Sequence, residues 1–322
     1  MGFVNVILKR IASSLLLLLG VIVLNFMLIH LAPGGPVQTL IGEMGGATPE
    51  MIKQIRAVYG FDKSLPEQLL NYIRHVSSGN MGTSFCFNKP VTDLILQRLP
   101  ATILLVLTSL SIAIFVGTLL GIFAAQKPHG WLSHFVTVLS LSGYSAPVFW
   151  TGIMLLILFA YLIPIFPSFG IQIIGIKGSA LDFALDILKH LVLPVLTLAS
   201  VYLANYSRIT RASMLDVLGS DYIRTARAKG LSERVVVYKH ALKNAVLPVV
   251  TLAGLQFRYL IAGAVVVETV FSWPGMGLLA FESILLRDHT LLLGILFFST
   301  FIVVIANLLT DLSYRLLDPR IK

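Results

Sequence analysis

Apolar residues run along this chain in blocks too long for the core of a soluble domain. The first block, Ile11 to Leu31, follows Lys9 and Arg10, is long enough to cross a bilayer and lacks a small-residue cleavage site. It is expected to be a retained first helix with its N-terminus in the cytoplasm. Further spans are expected at Ala101 to Ala125, Ser133 to Ile163, His190 to Tyr206, about Ala245 to Val270 and about Leu291 to Leu312. The second contains Gly117 and Gly121, a small-xxx-small pair suited to close helix contact. The third exceeds one upright crossing and is interrupted by Gly143 and Pro147, so a single broken, tilted span is expected there. Ser140, Ser142, Tyr144 and Ser145 beside that break either line a water-filled path or satisfy the break itself.

The polar intervals carry their own periodicity. Thr48 as cap, Pro49 at the first helical position and Glu50 in the first turn start an amphipathic helix with Met51, Ile52, Ile55, Val58 and Tyr59 at helical spacing. Leu69, Leu70, Tyr72 and Ile73 repeat the pattern. Such faces serve packing in an external cap or form a docking shelf. Phe166 to Lys189 reads as a second external loop. The chain thus divides into a first transmembrane helix (1–32), an external amphipathic segment (33–100) and a core of five transmembrane helices (101–322).

Composition agrees with this reading. Of 322 residues, 57% are hydrophobic and 12% charged, with a mean hydropathy of +0.88, which places the chain among polytopic all-α membrane proteins. The net charge of +9 does not imply nucleic acid, because the cations sit beside apolar spans and form no basic domain with interleaved aromatics. One cysteine, Cys86, excludes an internal disulfide framework.

The longest cationic run, Asp221 to Pro248, overlaps the core's loop 213–244 and reaches into the fifth span. Arg224, Ala226, Arg227, Ala228 and Lys229 favour a helix, Gly230 supplies its stop, and Ser232 caps a second helix near Glu233. Its cations place the loop on the cytoplasmic side. Read from the residues alone, it is an ordinary positive-inside loop or a docking element. Counting two crossings in the broken third span would put this loop outside, against that bias.

Arg258 falls near the middle of the fifth span, where an arginine costs about 2.5–3.5 kcal/mol, so it should face the bundle or a wet cavity. Thr251, Gly254, Arg258, Ala262 and Val265 share a face of mostly small residues. Either the arginine pairs with a carboxylate or carbonyls of a partner, or, with Gln256, Ser142 and Tyr144, it lines a path and favours solutes bearing a carboxylate. The chain has no Gly-x-x-x-x-Gly-Lys-Ser/Thr loop for ATP, no Gly-x-Ser-x-Gly elbow and no His-Glu-x-x-His helix. Its seven histidines are scattered, and no metal centre is expected.

Arg224-Thr225-Ala226-Arg227-Ala228-Lys229-Gly230 resembles the cytoplasmic motif of ABC importer permeases in the dipeptide, oligopeptide and nickel permease family. Arg224 stands where the generic motif has Glu, and Lys243 stands where other permeases have Pro; both departures resemble the peptide branch. Asp62 to Pro66, Gly79 to Ser84, Arg98 to Thr102, Val267 to Gly277 and the tail Asp318 to Ile321 resemble further stations of that family, in its order, over essentially the whole chain. Gly35 departs from the family's usual Asp, and Arg258 from its usual small residue.

The resemblance implies six helices with both ends cytoplasmic, in the bacterial inner membrane. Asp221 and Arg224 to Gly230 would couple to an ATPase, and Glu268, Phe271, Trp273, Pro274 and Gly275 would form an external gate, unless Trp273 serves only as an interfacial anchor. It also implies a second homologous permease, two ATPase subunits carrying ATP and Mg, and an extracytoplasmic substrate-binding protein. This chain would bind no cofactor and perform no covalent chemistry. Peptides are the expected solutes, with nickel chelates or glutathione as alternatives on one scaffold. An ion-gradient-driven transporter predicts intramembrane carboxylates, yet Glu268 lies at a span end.

Overall fold

The computed structural model describes residues 3–31, 37–38, 41–42, 46–59, 61–84, 86–173, 175 and 178–317. Gly35 and the tail 318–322 lie outside the described residues, as do the side chains of Ser142, Tyr144 and Arg258. Among the described residues the fold is all-α, with one hairpin of two-residue strands, β1 (Thr83–Ser84) and β2 (Lys89–Pro90), paired antiparallel with Thr83 opposite Pro90.

Helix α1 is Phe3–Leu31. Two amphipathic helices follow, α2 (Pro49–Tyr59) and α3 (Leu65–Ser77). Both begin on local caps: the Met51 N–H donates to Thr48 Oγ1 at 3.4 Å, and the Ser64 N–H donates to Glu67 Oε2 at 3.3 Å. Helix α4, Val91–Gln126, starts ten residues before the expected Ala101 and carries Pro100 inside it. The third span is broken as expected, into α5 (Trp131–Ser145) and α6 (Val148–Leu162), with Pro147 extended at the break. Gly143 lies within α5, where a Cβ would meet Ser200 O, on the helix that follows α6, at 3.2 Å.

Helix α7, Ala180–Leu218, corrects the expected loop and span at once. The loop ends at Ser179, not Lys189, because Ser179 and Asp182 cap each other: the Ser179 N–H donates to Asp182 Oδ2 at 2.7 Å, and the Asp182 N–H donates to Ser179 Oγ at 3.4 Å. At 1.5 Å per residue, its 39 residues extend about 58 Å, so its polar ends project beyond a hydrocarbon layer of about 30 Å. After it come α8 (Asp221–Ala228), α9 (Glu233–Ala245), α10 (Leu247–Val270), α11 (Met276–Leu285) and α12 (His289–Leu317). Helix α9 meets the first turns of α10 at a 44° bend.

The chain is a polytopic all-α membrane protein. By length and composition, Leu8–Leu31, Val91–Gln126, Ala180–Leu218 and His289–Leu308 can each cross a bilayer. The 24 residues of α10 add about 36 Å of helix, while α6 is a shorter apolar helix.

Two compact units emerge, each assembled from separate stretches of chain. One joins Met1–Pro100 to Leu278–Leu309. In it Asn25 Nδ2 donates to Leu293 O at 3.1 Å, and buried Asp288 accepts from the Ser84 hydroxyl and, at 2.8 Å, from the Leu291 N–H. The other unit joins Ala101–Gly277 to Thr310–Lys322. Its core includes Leu105, Leu193, Leu198, Val267, Phe271 and Trp273. Gly117 and Gly121 let α4 touch the backbone of α7: a Cβ at Gly121 would lie 2.7 Å from Ser207 O, and one at Gly117 would lie 2.9 Å from Leu203 O. The small-residue pair is thus a true helix contact.

Candidate functional site

Two stations stand out within the second unit, at opposite ends of α10. The first is the cationic loop. Helix α8 turns Ile223 and Ala226 inward, where they pack with Ile122, Met214, Val236, Val237 and Ala241. Ala226, expected as a coupling residue, therefore anchors the loop to its own chain. Asp221, Arg224, Thr225, Arg227, Ala228, Lys229 and Gly230 are all exposed. Gly230 has φ +76°, the left-handed conformation that ends helices, and a Cβ there would meet nothing within 4 Å.

The loop is held in shape by polar contacts that the sequence did not announce. Arg227 donates to Glu233 through Nη2 at 2.7 Å and Nε at 3.2 Å, closing a clasp across the Gly230 turn. The hydrogen bond raises the Arg227 guanidinium above its ordinary value and lowers the Glu233 carboxyl below its own. Asn244 Nδ2 donates to Tyr222 Oη at 2.8 Å, tying α8 to the end of α9. Arg224 reaches Asp221 at 3.4 Å, and Thr225 Oγ1 donates to Asp221 O at 3.0 Å. The clasp makes Arg227 a shaping residue, while Arg224 and Lys229 remain outward-facing cations.

The second station is built on Glu268, which is 0% exposed. Its Oε1 accepts from the Thr102 hydroxyl at 2.7 Å and its Oε2 from the Gly277 N–H at 2.6 Å; Thr102 Oγ1 accepts from the Met276 N–H at 2.8 Å. The first amides of the ten-residue helix α11 thus converge on the carboxylate system, where the positive end of a helix dipole favours an anion. Gly275 is required by close approach, because a Cβ there would overlap the carboxylate. Trp273 is not an interfacial anchor: it is fully buried, and its indole N–H donates to Ala101 O at 2.9 Å. Phe271 is buried too and accepts through its carbonyl from the Gly170 N–H at 3.0 Å, while Pro274 is half-buried on the turn. The knot joins α10, α11 and α4 through buried hydrogen bonds that fix their ends in place.

Between the stations, Gln256 is buried with no hydrogen-bond partner for its Oε1 among the described residues. Thr251 of the expected small-residue face lines an open cleft of about 370 Å³ with Ile209, Leu247, Pro248 and Leu252. Arg258 lies on the same helix, its side chain outside the described set. Sequence reasoning missed Thr102, Tyr222, Glu233 and Asn244. Thr102 sits in a stretch singled out for its resemblance, but nothing local pairs it with Glu268.

Residues 117–322 match the profile of the binding-protein-dependent transport system inner membrane component, and residues 3–106 match that of the N-terminal part of a binding-protein-dependent transport system membrane component. The chain is 39% identical over 329 residues to a dipeptide transport system permease protein of Alkalihalophilus pseudofirmus, and 38% identical over 334 residues to one of Escherichia coli K12. It is 40% identical over 317 residues to a putative peptide permease protein of Brucella suis. Each match covers 98% of both chains.

Proposed function

The chain belongs to the family of binding-protein-dependent transport system inner membrane components, and on that premise we propose that it is the permease subunit through which a bacterial ABC importer moves peptides across the inner membrane. Its full-length likeness to dipeptide and putative peptide permeases favours peptides over nickel chelates or glutathione. It would work beside a second homologous permease and two ATPase subunits, which carry the ATP and Mg, and receive solute from an extracytoplasmic binding protein. Both chain ends would lie in the cytoplasm.

The observation that carries the mechanism is the unbroken helix α10 between the two stations. The loop 221–233 is anchored inside by Ile223 and Ala226 and presents Arg224 and Lys229 outside, a shape suited to a groove in a partner. When ATP draws the partner subunits together, the loop moves as a body, because the Arg227–Glu233 clasp and the Tyr222–Asn244 bond hold it to α9. Helix α9 transmits the movement through the 44° joint to α10, whose far end is fixed in the Glu268 knot. The difference in ATP affinity between the two states supplies the bias.

The test replaces Gly230 with Val in the complete reconstituted complex and measures peptide uptake and ATP hydrolysis together. A β-branched residue at φ +76° costs about 1–2 kcal/mol and distorts the loop without entering the membrane. Uptake should fall while hydrolysis and assembly persist. Undiminished uptake removes the lever assignment.

A further inference from the structure

Three residues other than glycine hold a left-handed backbone among the described residues, Asn88, Ser272 and Arg287, and Arg287 has the longest side chain of the three. It belongs to the first unit, in the turn between α11 and α12, with φ +56°. The turn is a Schellman motif: the Asp288 N–H donates to Ser283 O at 2.8 Å and the Arg287 N–H to Ile284 O at 3.2 Å. Glycine ordinarily fills the left-handed position of such a turn, because a Cβ there crowds the backbone. Helix α3 of the same unit obeys that rule with Gly79 at φ +83°: the Asn80 N–H donates to His75 O at 2.9 Å and the Gly79 N–H to Val76 O at 3.0 Å. At the end of α11 an arginine holds the same place, at a cost in backbone strain that glycine avoids.

No contact of the side chain offsets that strain. Arg287 is exposed and makes no side-chain hydrogen bond or ion pair among the described residues. Its backbone, by contrast, is fixed from several sides. Asp288, next in the chain, is fully buried and accepts from the Ser84 hydroxyl and the Leu291 N–H. The hairpin that carries Ser84 packs on the start of α12, where a Cβ at Gly82 would lie 3.0 Å from Thr290 Cγ2, and Cys86 Sγ is 3.8 Å from Leu286 O. Hairpin and helix end thus make one rigid corner, on which Leu286, Arg287 and Lys89 are exposed. Of the carboxylates in the adjoining stretches, Asp288 is engaged inside, and neither Glu282 nor Asp93 pairs with either cation.

A cation on a rigid turn suits a partner whose own charges are fixed, since neither side then loses much freedom on contact. Arginine beside exposed apolar surface is also the composition of contact centres between proteins. We propose that this corner, Arg287 with Lys89 beside Leu286, is a docking point for an acidic patch on the extracytoplasmic substrate-binding protein. The docking point rests on the importer reading, because only then does the corner face the side from which solute arrives.

The complete complex in zwitterionic lipid nanodiscs, titrated with the substrate-binding protein of the same importer, measures the docking affinity without turnover. Arg287→Glu should weaken docking at least tenfold and flatten its dependence on salt, while Arg287→Lys should keep most of it. Arg287→Gly should weaken docking and yet raise the thermal midpoint of the complex, because the strain is released; an arginine serving only the fold would not pair those two effects. Equal affinity of wild type and Arg287→Glu, with wild-type peptide uptake intact, overturns the docking point and leaves the importer reading standing. A deficit that appears only in anionic nanodiscs also overturns it and assigns the corner to lipid headgroups. Loss of the second permease from the Arg287→Glu complex overturns it in favour of a contact between permeases. A wild-type complex that takes up no peptide overturns the importer reading, and the docking point with it.

Discussion

Replacing Gly275 with alanine tests the Glu268 knot at its tightest point. The added Cβ falls inside the van der Waals envelope of the carboxylate, which must withdraw by about 1 Å to reach ordinary contact distance. Withdrawal lengthens two short bonds together, from Thr102 Oγ1 at 2.7 Å and from the Gly277 N–H at 2.6 Å, beyond useful range. Hydrogen bonds to a charged group contribute about 1.5–3 kcal/mol each, so the loss should reach about 3–6 kcal/mol before relaxation. The assay is a double-mutant cycle on the purified chain in lipid, comparing Gly275→Ala alone, Glu268→Ala alone and both together by reversible unfolding. With the carboxylate gone, the methyl has nothing to displace, and alanine at 275 should cost less than about 1 kcal/mol. If its cost is the same in both backgrounds, the clash is not with Glu268 and the reasoning fails.

Other outcomes follow from single contacts. Gly121→Val should separate α4 from α7 and lower stability by about 1–3 kcal/mol, whereas Gly20→Val, with nothing within 4 Å, should be silent; thermal unfolding in lipid compares them. Trp273→Ala should cost about 3–5 kcal/mol because the ring is fully buried, and an exposed-anchor cost below about 1 kcal/mol would contradict its placement. For the clasp, the Glu233 carboxyl is depressed by its bond to Arg227, so its contribution is present above the unfolded carboxyl value and is lost as pH falls through the folded one. Hydrogen exchange around residues 227–232 should therefore quicken, relative to intrinsic rates, on acidification, and Glu233→Gln should abolish that dependence.

The parts legible in the sequence are those governed by near neighbours. A helix ending at Gly230 and a fresh start after Ser232 are local rules, and both occur where the pattern placed them. So is the cap on Thr48 and Pro49, and so is the contact surface of Gly117 and Gly121. Boundaries failed where a helix outran its apolar core. Asp182, Asp186 and Lys189 made the start of α7 read as a loop, although a capping box starts the helix at Ala180. Asp93 and Arg98 hid the first turns of α4 in the same way. Partnership over distance left no trace at all: Thr102 and Glu268 are 166 residues apart, and no periodicity relates them. An aromatic near a span end suggested the membrane surface for Trp273, but the carbonyl of Ala101 and the surrounding core claim it instead.

The make-up of the first unit has a consequence for how the protein is born. Residues 1–100 find their complement in Leu278–Leu309, so Asn25 waits for Leu293 and Ser84 waits for Asp288. About 180 residues are synthesised in between. At about 5–20 residues per second, the early segment spends roughly 10–35 s in the bilayer before its last helix exists. Helix α1 is already suited to that delay, since only 11% of its apolar window is buried and lipid alone satisfies most of its surface. The hairpin 83–90 is not: until the ribosome delivers Asp288, the hydroxyl of Ser84 lacks its carboxylate. A ribosome stalled before residue 278 should therefore leave a nascent chain with its first helix inserted and the segment around the hairpin 83–90 open to protease.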